Sequence, residues 1–168
     1  REAVRQWLDA GPRCASALLL RLNACGTEWF DNDVALAAHP RVAGVLLPKS
    51  EDDAPLRTIA DRLNANQGLV PLIETVKGHA RLGAIAAAPR VQALVLGPAD
   101  LMASLNMRTL VVGEQPEGYD VGDAYHHVLM RILIAARTRG IAAIDGPYLK
   151  VRDVDAFRRV AGRSAALG

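Results

Sequence analysis

Two acidic side chains each follow a short apolar run, and together they could bind a divalent cation. Residues 69–73 form an apolar run typical of a buried strand, and Glu74 comes directly after it. Residues 91–96 form a second run, which leads through a Gly-Pro turn to Asp100. Burying a carboxylate costs free energy unless a partner compensates its charge. Because Mg²⁺ prefers oxygen ligands and keeps several waters, Glu74 and Asp100 could supply enough protein ligands for one ion.

The separation of the two acids favours this pairing. They lie about one strand–helix unit apart along the chain. If both runs are neighbouring strands of a parallel sheet, the acids come to the same edge, roughly 5 Å apart across the sheet. The alternative is that each acid is a solvated loop residue or a helix cap.

Cationic and polar side chains end two earlier apolar runs. Arg21 and Asn23 end the first run, and Lys49 ends the second. Arg21 keeps its charge at any working pH and offers a planar fork, so it could bind substrate and stabilise an anionic reaction intermediate; pairing with a structural acid is the alternative. Lys49 could neutralise a substrate carboxylate or a phosphate, or could be an exposed residue after Pro48. Asn23 could orient Arg21 or the substrate.

Two further polar residues have a structural alternative. Thr75 could begin the next segment, or its backbone N–H could face a substrate carboxylate. Asp145 follows the last apolar run. It could hold a site residue in place without contacting the ligand itself, or it could be an ordinary turn residue. Cys25 lies near the predicted site with no histidine placed to activate it, so we interpret it as a bystander.

These side chains depend on five strands, each followed by a helix. The strands begin near residues 18, 43, 69, 91 and 141. Helix caps are expected at Asp31 or Asn32, Ser50 and Asp153. One helix is expected between the two acids, closed by Pro89, and another at 122–139. The segment 106–121 is either a lid that gates the substrate or a mobile connection.

Alternating strands and helices predict a parallel sheet covered by helices on both faces. The polar residues at the strand ends favour an α/β barrel, whose active site gathers at that edge. A Rossmann-type sheet is disfavoured because no strand is followed by G-x-G-x-x-G. A full barrel has eight strands. We therefore interpret residues 1–168 as one domain that forms the central part, about five βα units, of a TIM (β/α)8 barrel.

Composition excludes several classes of protein. The formal net charge of +2, with no basic run, argues against a nucleic-acid partner. No apolar run reaches membrane-spanning length and no signal-peptide pattern is present, so we expect no membrane partner. The two cysteines show no metal-ligand spacing, which favours a reducing, cytoplasmic setting.

Four segments together resemble a known family. They are "ALLLRLNACGTEWFDNDVALAAHPRVAGVLLPKSE", "PLIET", "VLGPADLMASL" and "IAAIDGPYLKVRDVDAF". Their order and spacing are similar to those of the citrate lyase β-subunit-like branch of the HpcH/HpaI aldolase superfamily. The family's opening strands, with an acidic Asp-Leu-Glu-Asp-like segment, and its closing strand, with a His-Pro motif, have no counterpart in the sequence.

The resemblance implies a TIM barrel that binds Mg²⁺ and makes or breaks a carbon–carbon bond in a CoA thioester of a hydroxy acid. The leading hypothesis is a Mg²⁺-dependent lyase that cleaves citryl-CoA or malyl-CoA, with Glu74 and Asp100 as metal ligands and Arg21 as the catalytic cation. The alternatives are a pyruvate-type class II aldolase acting on an oxo acid, a CoA thioesterase variant, and a non-catalytic subunit or fragment. A homo-oligomer is expected.

Overall fold

A parallel β-sheet forms the centre of the molecule. The computed structural model describes residues 1–11, 16–108, 118 and 124–168. The five strands are Leu19–Arg21 (β1), Gly44–Leu47 (β2), Gly68–Ile73 (β3), Ala93–Leu96 (β4) and Ala142–Ile144 (β5). The helices are Glu2–Asp9 (α1), Phe30–Ala37 (α2), Asp53–Ala60 (α3), Val76–Ala80 (α4), Leu82–Ala86 (α5), Pro98–Ser104 (α6), His126–Arg137 (α7) and Val154–Leu167 (α8).

The strand order follows the chain. Each strand pairs in parallel with the next one, in the order β1-β2-β3-β4-β5. A doubly wound sheet would reverse direction at a switch point, whereas a singly wound barrel adds each strand to the same side. The predicted α/β fold with a parallel, barrel-type sheet is therefore confirmed. All strand ends that carry the predicted site residues lie along one edge.

Burial increases towards the middle of the sheet. All six residues of β3 are buried, and β2 and β4 each have three buried residues out of four. The two outer strands, β1 and β5, contain no buried residue. The core packs aliphatic side chains of the three central strands against α2, α3, α5 and α7. The strand that precedes Glu74 is thus the best anchored element of the sheet.

Pro71 lies inside this central strand, where a residue without an N–H is unusual. The register explains how it is accommodated. Leu69 lies opposite Val91, whereas Leu72 lies opposite Val95, so residues 70–71 of β3 face residues 92–94, of which the last two belong to β4. This β-bulge interrupts the ladder beside Pro71, and bulges of this kind re-aim the residues that follow them. The bulge lies just before the edge that carries Glu74.

Several helix starts differ from the sequence prediction. The cap of α3 is Asp52, whose Oδ1 accepts from the Asp53 N–H. The expected cap, Ser50, is buried and donates its hydroxyl to the Leu47 carbonyl.

Helix α2 begins at Phe30 with Trp29 at the cap, so Asp31 lies inside the first turn instead of capping it. Asp153 does cap α8, through a bond from the Ala156 N–H.

The segment between the two acids is two helices and not one. Arg81 separates α4 from α5, because its φ of −108° and ψ of 17° are not helical. Helix α6 begins at Pro98, so Asp100 lies in its first turn and not before it. Most of the segment 106–121, predicted as a lid or a mobile connection, lies outside the described residues.

No helix in the part of the chain that the structure describes is both long enough and apolar enough to cross a membrane.

Candidate metal and substrate site

Glu74 is a buried carboxylate at the carboxyl end of the central strand. It is only 2% exposed. Its Oε1 accepts a hydrogen bond of 2.8 Å from the backbone N–H of Lys49, at the end of the neighbouring strand β2. No hydrogen bond within the described residues reaches its Oε2. One carboxylate oxygen is therefore held by the protein, and the other is available to a ligand.

The electrostatic setting of Glu74 disfavours its charge. Burial raises the pKa of Glu74 above its usual value, and the nearby negative charge of Asp100 raises it further. The Lys49 N–H and the positive charges of Arg21 and Lys49 act in the opposite direction without cancelling the effect. A bound cation would remove this penalty because it compensates both carboxylates at once.

Gly97 leaves room for the Glu74 side chain. A Cβ at Gly97 would lie 2.5 Å from the Glu74 Cβ and 2.7 Å from its Oε2. Gly97 comes directly after β4 and is the N-cap residue of α6, so this close approach sets how the start of the helix that carries Asp100 passes the Glu74 side chain. Only glycine allows this approach without a displacement of Glu74.

Asp100 faces the same space from the first turn of α6. Its carboxylate is exposed, and its Oδ1 lies 3.9 Å from the Lys49 Nζ. Glu74 is aligned with Gly97 by the register, so Asp100 reaches the site from the helix and not from the strand end. The structure thus brings together the two acids that the sequence singled out.

Two adjoining cavities connect these residues. One, of about 330 Å³, is lined by Arg21, Asn23, Lys49, Glu74 and Asp100 among others. The other, of about 320 Å³, shares Arg21, Glu74 and Asp100 and extends over Gly97 to Pro147. Both volumes match the lower end of small-molecule sites. Five of the seven residues predicted for the site therefore line one cavity.

Arg21 lies in the wall of both cavities and has no ion-pair partner among the described residues. It is exposed at the end of β1, and within the described residues its guanidinium makes no hydrogen bond and no ion pair. This differs from the alternative expected from the sequence, in which a structural acid would pair with it. The guanidinium is available to an anionic ligand.

Asp33 is a residue of this region that the sequence analysis missed. It is buried, and its Oδ2 accepts from both the backbone N–H and the side-chain amide of Asn23, while its Oδ1 accepts from Arg1. Burial alone would raise the pKa of Asp33, but these bonds hold it below the usual range. Asp33 thereby fixes the loop after β1. The only sequence signal was its helical register, which places it on the same face of α2 as the buried Phe30 and Ala37.

Thr75 and Asp145 lie outside the lining of both cavities. The Thr75 hydroxyl caps α4 by accepting from the Gly78 N–H. Asp145 accepts from the Gly146 N–H and from the Ser164 hydroxyl, which ties the end of β5 to α8. Both contacts are structural, and the roles predicted for Thr75 in substrate binding and for Asp145 behind the site stay predictions.

The donor set fits Mg²⁺. Within the described residues no group of three or more His, Cys, Asp or Glu side chains is placed to hold a metal ion. Mg²⁺ needs only one or two carboxylates, and Glu74 offers a buried oxygen without a protein partner beside the exposed Asp100. The space around them leaves room for water and ligand oxygens.

Comparisons with known proteins are consistent with this geometry. The family model described as HpcH/HpaI aldolase/citrate lyase matches residues 1–168. The chain is 33% identical over 172 residues to the L-malyl-CoA/beta-methylmalyl-CoA lyase of Rhodobacter capsulatus. This alignment covers 90% of this chain and 54% of that protein. It is 30% identical over 158 residues to a (3S)-malyl-CoA thioesterase of Cereibacter sphaeroides, covering 94% of this chain and 52% of that protein.

A solved structure matches the whole described fold. The protein CitE of Mycobacterium tuberculosis, in complex with magnesium, acetoacetate and coenzyme A, superposes with a TM-score of 0.80 at 29% identity. The match covers 99% of this chain and 59% of that one. The chain spans about half the length of the curated relatives it matches.

Proposed function

The chain belongs to the HpcH/HpaI aldolase/citrate lyase family, and from this premise we propose that it carries the metal-binding half of a Mg²⁺-dependent carbon–carbon lyase. The substrate class is the CoA thioester of a hydroxy acid, of the malyl-CoA or citryl-CoA type. The proposal is supported by the magnesium, acetoacetate and coenzyme A bound by CitE and by the lyase relative.

The observation that carries the proposal is the state of Glu74. A carboxylate that is 2% exposed, raised in pKa, and bonded through only one oxygen lowers the stability of the folded chain unless a cation joins it. Asp100 and the unpaired Arg21 line the same cavity. A buried group with this cost is more readily explained by function than by packing.

Each residue has a role in this proposal. Glu74 and Asp100 would hold Mg²⁺, which supplies a Lewis acid beside the bond that breaks. Arg21 would bind the substrate and stabilise the enolate charge that develops when the carbon–carbon bond is cleaved.

Four further residues have supporting roles. Asn23, on the cavity wall, would orient the substrate, and Lys49, also on the wall, would neutralise its carboxylate or phosphate. Thr75 would offer its backbone N–H to a substrate carboxylate, and Asp145 would support the strand end.

A thioesterase is the second candidate, because the (3S)-malyl-CoA thioesterase relative matches 94% of this chain. The products separate the two reactions. Cleavage of malyl-CoA between carbons yields acetyl-CoA and glyoxylate, whereas hydrolysis yields malate and free CoA. Chromatography of the CoA products, together with a thiol reagent that detects free CoA, assigns the activity.

The whole protein would extend beyond these elements. We propose that residues 1–168 are the central part of a single TIM-barrel domain, completed by strands on either side of the described sheet. We further propose that the protein is cytoplasmic and forms a homo-oligomer. Sequencing of the flanking coding region tests the first point, and light scattering of the full-length protein tests the last.

The metal site has a direct test in the full-length protein. Calorimetric titration with MgCl₂ should show one bound ion, and Glu74→Gln and Asp100→Asn should each weaken the affinity by about tenfold or more, because each removes one anionic ligand. Glu51→Gln is the matched control, since Glu51 lies just past the same sheet edge but pairs with Lys77 outside both cavities. Unchanged affinity in both site variants would refute the proposed metal site.

A further inference from the structure

Lys49 contacts both acids of the candidate metal site. Its backbone N–H donates to the Glu74 Oε1 at 2.8 Å, and its ammonium lies 3.9 Å from the Asp100 Oδ1. The backbone of Lys49 has a φ of 48°, in the left-handed region that residues other than glycine rarely adopt. This turn lets one residue serve one acid with its main chain and the other with its side chain.

The two cations on the cavity wall are not equivalent. Within the described residues Arg21 has no acidic partner at ion-pair distance, whereas Lys49 is paired with Asp100. Besides Asp100 and Glu74, Glu51 also feels the charge of Lys49, but the main partner of Glu51 is Lys77, at 3.2 Å. The ammonium of Lys49 is therefore directed to the carboxylates that would bind the metal, and the guanidinium of Arg21 is left for an anionic ligand.

The different pairing of Arg21 and Lys49 matters when a metal ion changes the charge balance of the cavity. Arg21 and Lys49 contribute two positive charges, and Glu74 and Asp100 contribute two negative ones, so the cavity is neutral before any ligand binds. A divalent cation that joins the same carboxylates meets the ammonium as a like charge a few ångströms away. The long, exposed lysine side chain can rotate away, and an arriving anionic substrate would offer it a new partner.

We propose that the Lys49 ammonium is the resting counter-ion of the Glu74–Asp100 pair, that it competes with Mg²⁺ for these carboxylates, and that metal binding releases it towards the anionic substrate. The inference rests on the metal site of the proposed function. It adds an order of events, in which metal binding releases the lysine and the lysine then contacts the substrate. Lysine lowers the affinity for free metal and then contributes to the binding of substrate, so the complete site forms only when both ligands are present.

The test is calorimetric titration of the full-length protein with MgCl₂ alone, at about 50 mM and about 500 mM KCl. Lys49→Met removes the charge and keeps much of the length. At low salt it should bind Mg²⁺ about three- to tenfold more tightly, the size expected for one exposed like charge at this range. Salt screens exposed charges, so the difference should shrink at high salt. The KM for the CoA thioester should rise in the same variant.

Three further variants make the outcome decisive. Lys49→Arg retains the charge and should keep the parent affinity for Mg²⁺. Lys77→Met is the matched control, because Lys77 is an exposed lysine just past the same edge, paired with Glu51, and its loss should leave the affinity unchanged. Lys49→Gly keeps the backbone N–H and suits the positive φ, so it should tighten Mg²⁺ binding even if methionine strains the turn.

The titration results distinguish failure of this inference from failure of the proposed metal site. If the parent binds Mg²⁺, Glu74→Gln binds it more weakly, and neither Lys49→Met nor Lys49→Gly binds it more tightly than the parent, the counter-ion role is refuted and the metal site stands. If the parent binds no Mg²⁺, both are refuted. Tighter binding in Lys77→Met as well would also refute the inference, because the effect would then be one of overall charge.

Discussion

At the scale of single residues, the site depends on a carboxylate that weakens the fold. Glu74 is buried at the end of the central strand, and burial raises its pKa, so the folded chain keeps the carboxyl protonated to a higher pH than the unfolded chain does. The folded state therefore binds more protons than the unfolded state at pH values between the ordinary glutamate pKa and the raised one. In that window stability falls as the pH rises, and above the raised pKa the ionised Glu74 opposes folding.

Glu74→Gln should accordingly stabilise the metal-free protein at pH 8, because glutamine keeps an oxygen for the Lys49 N–H and carries no charge. The gain should shrink as the pH falls through the raised pKa of Glu74, where the parent becomes protonated. Urea unfolding at a series of pH values, with a chelator present, measures the difference. Saturating Mg²⁺ should reverse the order, since the parent binds the ion more tightly. Equal stability of both proteins at pH 8 would contradict the cost assigned to Glu74.

Arg21 gives a second prediction at this scale. If its guanidinium stabilises the enolate, Arg21→Lys should lower kcat and kcat/KM together by about 100-fold, the size lost with one preorganised donor. Steady-state kinetics with the CoA thioester in the full-length protein provide the measurement. Arg57→Lys serves as the control, because Arg57 is an exposed residue of α3 paired with Asp53. A rise in KM alone would leave Arg21 with a binding role only.

At the scale of elements, the site is formed where β3 and β4 end side by side. The bulge beside Pro71 shifts the register of this pair, and Gly97 then passes close to the Glu74 side chain. Asp33 makes a similar link on the other side, by holding the loop after β1 through Asn23. The positions of these side chains thus depend on contacts between elements, and small changes there should alter the proposed metal site.

Gly97→Ala tests this dependence. The added Cβ would lie 2.5 Å from the Glu74 Cβ, so Glu74 or the strand end must move, and the Mg²⁺ affinity of the full-length protein should fall by about tenfold or more. Gly83→Ala is the matched control. No atom lies within 4 Å of a Cβ at Gly83, which is exposed in α5, and alanine should stabilise that helix by about 0.5–1 kcal/mol. Parent-like Mg²⁺ binding by Gly97→Ala would show that Glu74 tolerates the contact.

At the scale of the whole molecule, the outer strands of the described sheet differ from the central ones. Within the described sheet β1 and β5 each pair with one neighbour only, and Leu19 and Ile144 on them are 48% and 45% exposed. Val151, before α8, is 82% exposed. Open strand edges and contiguous apolar surface favour association between chains.

We therefore expect the 168 residues, expressed alone, to associate and to lack lyase activity. Their open edges would pair with other chains, and a net stability of only about 5–15 kcal/mol leaves little reserve against this. Size-exclusion chromatography with light scattering should show oligomers or aggregates, whereas the full-length protein should form a compact oligomer. A monodisperse monomer of these residues that melts cooperatively and cleaves malyl-CoA would contradict the expectation.

Local patterns in the sequence were enough to predict the fold class and the residues of interest. Apolar runs of strand length, each followed by a helical pattern, specify a parallel α/β sheet, because burial on both faces requires such runs. Polar residues at the ends of those runs identified Arg21, Lys49, Glu74 and Asp100 before their arrangement was known. The two acids stood out because a carboxylate directly after a buried strand is costly wherever it lies in the fold.

The tertiary structure alone decided how these residues divide their tasks. The bond from Lys49 to Glu74, the pairing of Lys49 with Asp100, and the absence of a partner for Arg21 within the described residues all involve groups far apart in the chain. So do the role of Asp33 and the register shift that accommodates Pro71. Short-range patterns carry no information on such distances, which depend on how whole strands and helices pack.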